Sequence, residues 1–385
     1  MPLEVRPVRS RRDLNRFIKL PLRLYREGDP WVPPLILERK RFLDRRRNPY
    51  FEHADAEYFL AWRDGRVVGR ITAQVDHQFN DFHGTRWGNF GFFECEDDAD
   101  AAGALLEAAG YWLGERGLER MVGPMDFTIN EESGLLIEGY ERPPMTRQPW
   151  QHPYYRALLE GWGLEKAMDL YMWELDISDR DKILPVIFEL AEKLEPEHGI
   201  RLRHWDKRDL DAEVRRFVEI YNAAWSDNWG FCPLNEREAQ HMCKEIKPLL
   251  NTNWLMAAER LDTGECVGVA LTFPDYNRLL LGLRGRLLPT GWAKALWRLR
   301  RIDRVRVGFL GVKPEYQHTG VAAAFYVEHF DLASRLPQTW GEMGWILETN
   351  EAMNRGMEAM GGRIVKRYRL YEMQLDGAGA EPRRD

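Results

Sequence analysis

Residues 304–326, RVRVGFLGVKPEYQHTGVAAAFY, constrain the fold more than any other stretch of the chain. Val305, Val307 and Phe309 alternate with Arg304, Arg306 and Gly308, the period of a half-buried strand. Pro314 ends the ladder because it has no amide hydrogen to donate. A polar turn, Tyr316-Gln317-His318-Thr319-Gly320, then runs into Val321-Ala322-Ala323-Ala324, a small-residue helix start. A strand feeding a helix through a glycine turn aims several backbone N–H groups and the positive helix end at one point. That point suits a phosphate or diphosphate. Gly320 lacks a β-carbon, so a ligand oxygen can approach the main chain, and Ala322 and Ala323 leave the first turn uncluttered. The same residues also read as an ordinary strand–turn–helix with no ligand.

The pattern Gln317-x-x-Gly320-x-Ala322 resembles the coenzyme A loop of the GNAT acyltransferases (Gln/Arg-x-x-Gly-x-Gly/Ala). The preceding LGVKPEY, with Leu310 and Val312, is similar to that family's fourth strand. The resemblance implies direct acyl transfer, with acyl-CoA or acetyl-CoA as co-substrate, no permanently bound cofactor and no metal. It places Leu310, Val312, Gln317, His318, Thr319, Gly320, Val321 and Ala322 on the cofactor, joined by Asn350 and Asn354 from beyond the fifth strand. An amine attacks the thioester carbonyl, and a strand amide near Val312 stabilises the developing oxyanion. Glu348, at a strand end, is the first candidate for the base and Asp227 the second. The family's usual thiol-protonating tyrosine falls here on Met357. Tyr326, Tyr368 or Tyr371 then replaces it, with Tyr371 carried as the candidate, or the thiolate leaves unassisted.

A chain of 385 residues has room for two domains, and 44% hydrophobic with 30% charged residues describes a soluble globular protein. A net charge of −6 argues against a nucleic-acid coat and against DNA as a partner. Cys95, Cys232, Cys243 and Cys266 are scattered, which speaks against a zinc site and a disulfide framework. The N-terminus gives no continuous apolar core of a signal peptide, and no apolar run approaches the ~18 residues of a membrane span. A cytoplasmic protein is expected, working at the inner face of the membrane.

The fold expected is α/β (α+β): two tandem GNAT-like mixed-sheet lobes, the first degenerate. The first covers residues 1–176 with a basic N-terminal arm, in which Asp13 is a candidate helix cap. A hairpin turns at Asp64-Gly65, a strand follows at 87–94 and a helix at 98–116. A long loop then runs through Asn130, Gly134 and Gly139. A linker helix occupies 177–199. The second lobe, 200–376, repeats the order with a helix at 210–225, a hairpin at 262–264, a strand at 344–348 and a helix at 350–360. The tail 377–385 reads as disordered. Asp169-Leu170-Tyr171 echoes Arg369-Leu370-Tyr371, as two copies of one unit would. Where the first copy should hold phosphate it carries Glu94, Glu96, Asp97, Asp98 and Asp100. Five carboxylates outweigh the roughly half-charge of a helix N-terminus, so this lobe is expected to be structural or acceptor-side.

An insertion at 275–303 carries Arg278, Arg284, Arg286, Lys294, Arg298, Arg300 and Arg301, with acids only at its ends. Thr290 can cap a helix with Trp292, Leu296 and Leu299 on one face and Lys294, Arg298 and Arg301 on another. Residues 278–301 therefore read as a peripheral membrane contact, or equally as a lid or dimer contact. At whole-chain level the sequence resembles long bacterial GNAT proteins linked to ceramide synthesis, which implies a long-chain acyl donor and a lipid-like amine acceptor of the sphingoid type. Two alternatives stand beside this: an aminoacyl-tRNA-dependent Fem-like transferase, and a non-catalytic GNAT-like binding protein. The insertion lacks the interleaved aromatics expected of a tRNA grip, which disfavours the first.

Overall fold

The computed structural model describes residues 2–375, and the tail expected at 377–385 lies outside them. In chain order the first half carries β1 (Leu3–Pro7), α1 (Arg11–Lys19), α2 (Pro21–Leu24), α3 (Ile36–Phe42), β2 (Ala54–Arg63), β3 (Arg66–Asp76), α4 (His77–His83), β4 (Trp87–Cys95), α5 (Ala99–Gly114), β5 (Arg120–Gly123), β6 (Leu135–Glu138), α6 (Tyr154–Trp162) and β7 (Glu165–Asp176). The second half carries α7 (Pro185–His198), β8 (Ile200–His204), α8 (Leu210–Trp225), α9 (Glu236–Ile246), β9 (Leu255–Arg260), β10 (Cys266–Pro274), α10 (Asn277–Leu280), α11 (Gly291–Leu299), β11 (Arg304–Val312), α12 (Val321–Ala333), β12 (Trp340–Leu347), α13 (Glu351–Ala359) and β13 (Arg363–Gln374). These elements form two compact units. One takes the chain up to Leu170, Leu280–Ala295 and Lys366 onward; the other takes Tyr171–Leu279 and Leu296–Val365.

In the first unit the strands lie in the order β1-β2-β3-β4-β5-β13. The last strand of the chain is antiparallel to β5, with Tyr371 opposite Gly123 and Gln374 opposite Arg120. Asp64 and Gly65, both with positive φ, make the two-residue turn between β2 and β3. Ala101, Leu105, Leu106 and Ala109 of α5 pack on Ile71, Ala73, Phe90 and Cys95. Asp169 receives a two-pronged ion pair from Arg369 at 2.8 and 3.0 Å, so two positions that echo each other in sequence meet in one sheet.

Two expectations for this unit need correction. Ser10, not Asp13, caps α1: its hydroxyl accepts from Asp13 N at 3.1 Å, and the Asp13 carboxylate then accepts from Ser10 and Arg16. The long loop after β5 is interrupted by β6, which pairs with β13. Nothing local marks Leu135–Glu138 as a strand, because its partner lies over 200 residues away.

In the second unit the order is β12-β11-β10-β9-β8. Val321, Ala324, Phe325 and Phe330 of α12 pack on Val267, Ala270, Val305 and Val307. The helix expected over 210–225 is α8, and the linker helix is α7. The strand expected at 344–348 starts earlier, at Trp340, where β12 runs parallel to β11. Gly341 reads locally as a breaker, whereas its parallel partner Val305 holds it in strand. The polar turn before α12 is a 3₁₀ helix, Pro314–Thr319.

The two units share a register. Gly69 of β3 faces Cys95 of β4, and Gly268 of β10 faces Val312 of β11. In each, the next strand is parallel and paired only briefly: β4 with β5 from Trp87/Arg120 to Asn89/Val122, and β11 with β12 from Arg304/Trp340 to Val307/Met343.

Candidate active site

The second unit's site begins where β11 and β12 part. Their pairing ends at Val307/Met343, yet β11 continues to Val312 and β12 to Leu347. The β10–β11 register slips between Leu271 and Thr272, leaving Gly308 as the extra residue of a bulge. Gly344 adopts φ +134 just past the last pair, and its carbonyl accepts from the Arg306 guanidinium at 3.1 and 3.2 Å. Past the bulge, Lys313 N–H donates to Val267 O in β10 at 2.9 Å. By the alternation of strand amides, those of Leu310 and Val312 face the opposite side, toward the gap beside β12.

The strand's end leads to the helix start singled out in the sequence. Gly320 sits at φ +88, closing the 3₁₀ turn and opening α12 with no side-chain cap and no acid in the first turn. The first backbone bond of α12 runs from Ala324 N to Gly320 O at 3.0 Å. The amides of Val321, Ala322 and Ala323 therefore have no acceptor within the helix. Gln317 and His318 are exposed, whereas Thr319 and Val321 are buried. Gln317 Nε2 reaches Val312 O at 3.4 Å, and Thr319 Oγ1 donates to Tyr316 O at 2.6 Å. Lys313 does not add free charge to the turn. Burial works against its ammonium, but Glu219 and Glu265, at 2.6 and 2.8 Å, hold it and raise its pKa.

Two contacts here were not visible in the sequence. A β-carbon on Gly320 would come within 2.7 Å of the Leu190 carbonyl of α7. The glycine is thus required by its own backbone angle and by α7, apart from any ligand. A β-carbon on Gly311 would strike the Trp225 ring at the end of α8, so Trp225 lies over the last residues of β11. A glycine inside a strand is a signal of close approach, and Gly311 could have flagged this contact. Trp225 stacks on Tyr221 at 5.3 Å and leads into the loop holding Asp227, which is exposed.

β11 and β12 are parallel, so the segments after them leave from the same sheet edge. Glu348, half-buried, comes directly after β12. Asn350 caps α13, its Oδ1 accepting from Met353 N at 3.1 Å. The Asn354 side chain is spent on the fold: Oδ1 accepts from Trp173 Nε1 at 2.9 Å, and Nδ2 donates to Leu347 O at 3.0 Å. Met357, at the family's tyrosine position, is fully buried.

The three tyrosines separate. Tyr368 and Tyr371 belong to the first unit, where their hydroxyls donate to Pro149 O and Glu160, each at 3.1 Å. Tyr326, on α12, shares the second unit with the turn; its hydroxyl points at Met353 of α13, and burial raises its pKa. His329 lies one turn further along α12 and helps line a cavity of ≈ 20 Å³, room for about one water. Its Nδ1 donates to Phe325 O at 2.6 Å and its Nε2 accepts from Thr272 Oγ1 at 2.7 Å. Burial pushes its pKa down to about 4, so the ring stays neutral and both nitrogens are occupied.

No protein-family model matches the chain. It is 38% identical over 380 residues to the bacterial ceramide synthase of Caulobacter vibrioides (strain NA1000 / CB15N), covering 97% of this chain and 98% of that one. It is 36% identical over 377 residues to protein YghO of Escherichia coli (strain K12), covering 96% and 95%. Among solved structures, a tandem GNAT protein from the clavulanic acid biosynthesis pathway matches with a TM-score of 0.55 at 13% identity, over 97% of this chain and 99% of that one. A GCN5-related N-acetyltransferase from Anabaena variabilis ATCC 29413 gives 0.52 at 11% identity, over 97% of this chain and 73% of its own. The distant structures show the fold, two tandem GNAT-like lobes, and the sequence relatives extend over nearly the whole of both chains. The chain has a tandem GNAT-like fold and belongs to the family that includes the bacterial ceramide synthase of Caulobacter vibrioides and protein YghO of Escherichia coli.

Proposed function

We propose that the protein moves a long-chain acyl group from acyl-CoA to the primary amine of a lipid-like acceptor of the sphingoid type. The observation that carries this reading is the uncapped, acid-free start of α12 behind Gly320, beside the gap between β11 and β12. Free first-turn amides and the positive helix end suit the diphosphate of coenzyme A. Gln317, His318, Thr319, Val321 and Ala322 surround it, Asn350 lies beyond, and Leu310 and Val312 border the thioester arm. The acceptor class rests on kinship with a protein named for ceramide synthesis, since a ceramide is a sphingoid base acylated on its amine.

In this reading the neutral amine attacks the thioester carbon, and the Leu310 and Val312 amides receive the developing oxyanion. Glu348 takes the proton from the attacking nitrogen, with Asp227 as the alternative base from the acceptor side. Collapse breaks the C–S bond. The thiolate takes its proton from Tyr326 or leaves without an acid. Tyr371 is set aside because its hydroxyl is engaged with Glu160 in the first unit.

The test incubates purified protein with palmitoyl-CoA and sphinganine and follows N-acyl product by mass spectrometry. Product and saturable acyl-CoA binding are expected, and Glu348→Gln should lower kcat by about 100-fold with binding intact. Protein that binds no CoA compound, or that acylates only with charged tRNA, would sink the proposal.

A further inference from the structure

The insertion exposes an apolar surface of its own. Of thirteen exposed large hydrophobic side chains among the described residues, five fall within 287–297: Leu287, Leu288, Trp292, Leu296 and Trp297. Trp292, Leu296 and Trp297 are 55%, 61% and 58% exposed, and the only buried residue of α11 is Gly291. A soluble surface carries such residues singly, so a cluster marks a contact. At 100° per residue, Leu299, Trp292, Leu296 and Trp297 span one arc of α11, and Lys294 and Arg298 occupy the opposite arc. Arg301, just past the helix, lies over the Trp297 ring at 3.7 Å, setting a cation at the aromatic rim.

Charge selects the occupant. Between Asp275 and Asp303 there are seven basic residues and no acid, in a chain whose net charge is −6. Arg284, Arg286, Lys294, Arg300 and Arg301 are exposed. A polyphosphate backbone would answer the arginines but leave two tryptophans and three leucines in water. An anionic bilayer answers both, with headgroups for the basic arc and acyl chains for the apolar one. The helix has nine residues, about 14 Å, far short of the ~30 Å of a hydrocarbon core. No helix among the described residues is long and apolar enough to cross a membrane.

We infer that α11 and its Leu287–Leu288 approach lie in the plane of an anionic membrane surface, with Trp292, Leu296 and Trp297 in the acyl boundary. This surface is independent of the acyl-transfer reading. The test floats the full-length protein with vesicles of phosphatidylcholine alone or mixed with phosphatidylglycerol, at low and high salt, and measures acyl-CoA binding in parallel. Wild type should float with the anionic vesicles and be released by salt. Trp292→Glu with Trp297→Glu should cut binding at least about tenfold, and Lys294→Glu with Arg301→Glu should abolish the preference for anionic lipid. The circular dichroism spectrum and acyl-CoA binding should not change. Wild type that never floats, or a double-Trp variant that floats unchanged, overturns the inference. So does a double-Trp variant that changes oligomeric state on gel filtration while neither protein floats, since the face would then join two copies of the chain.

Discussion

The two units start the same helix in opposite ways. In the first, β4 carries Glu94 near its end and Glu96 follows it before α5, whose N-cap Asp98 accepts from Ala101 N at 3.1 Å, with Asp100 in the first turn. Arg63 pairs with Asp98 at 2.8 Å, and Arg66 pairs with Glu96 at 2.6 Å. Glu94 is buried and accepts from the Tyr25 and Tyr155 hydroxyls at 2.7 and 2.6 Å. The helix end is thus closed by the chain's own carboxylates. In the second unit α12 begins at Gly320 with neither a side-chain cap nor an acid. The same topology leaves one anion-receptive helix end filled and the other open, and the choice lies in a handful of side chains.

The largest way to set the two apart is pH. His329 in the second unit is held near 4 by burial, below its unfolded value of 6.5. Between those values the unfolded chain binds a proton that the folded one refuses. Stability of that unit should therefore fall as pH drops from about 6.5 to about 4, on the order of 3 kcal/mol. In the first unit burial raises Glu94, and burial together with Glu132 raises Asp126. Those native carboxyls keep protons that the unfolded chain has lost, so their contribution is present in acid and fades as pH rises. Hydrogen exchange at pH 4.5 against pH 7 should show amides of the second unit losing protection first; equal loss in both units would erase the contrast.

Making α12 resemble α5 is the next test. Ala322→Asp puts a carboxylate in the first turn, which favours the helix and opposes a diphosphate. Acyl-CoA affinity should fall about 30-fold, roughly 2 kcal/mol, with Tm unchanged or slightly raised. A variant that keeps its affinity would remove the diphosphate from this helix end.

Gly320→Ala probes the other side of the same residue. Positive φ and the Leu190 carbonyl should cost roughly 1–2 kcal/mol in urea unfolding even without ligand. Loss of function at Gly320 is therefore a poor reporter of binding, and Ala322 is the cleaner position. The smallest effect is expected from Asp98→Ala. Loss of the α5 cap should lower stability by about 1 kcal/mol and leave acyl-CoA affinity untouched. A change in affinity would show that the first unit's helix end takes part in donor binding.

Features set by near neighbours were legible. Asp64-Gly65 dictated the first hairpin, the helix expected over 210–225 is α8, and residues 304–326 announced strand, turn and helix. Features set across the chain were not. Trp225 over Gly311, Leu190 against Gly320 and β6 beside β13 each join segments with no shared local pattern. Tyr371 comes after a helix and strand start that echo the first copy, and nothing in that echo shows that its hydroxyl meets Glu160. Asp13 is the conspicuous acid at the start of α1, but a cap is defined by which side chain reaches the third amide, and that side chain is Ser10.

By itself the sequence determined the α/β order, the glycine turn before α12, the acid-rich start of α5 and the basic, tryptophan-bearing insertion. Each depends on backbone propensities and charges that travel with the residues. Only the tertiary structure decided that β11 and β12 separate beyond Val307, that the Leu310 and Val312 amides face that gap, and that Tyr326 alone of the three tyrosines lies in the unit that carries the turn. Those outcomes depend on which strands pair and where pairing stops. They are settled by contacts between distant segments, which no local stretch of chain encodes.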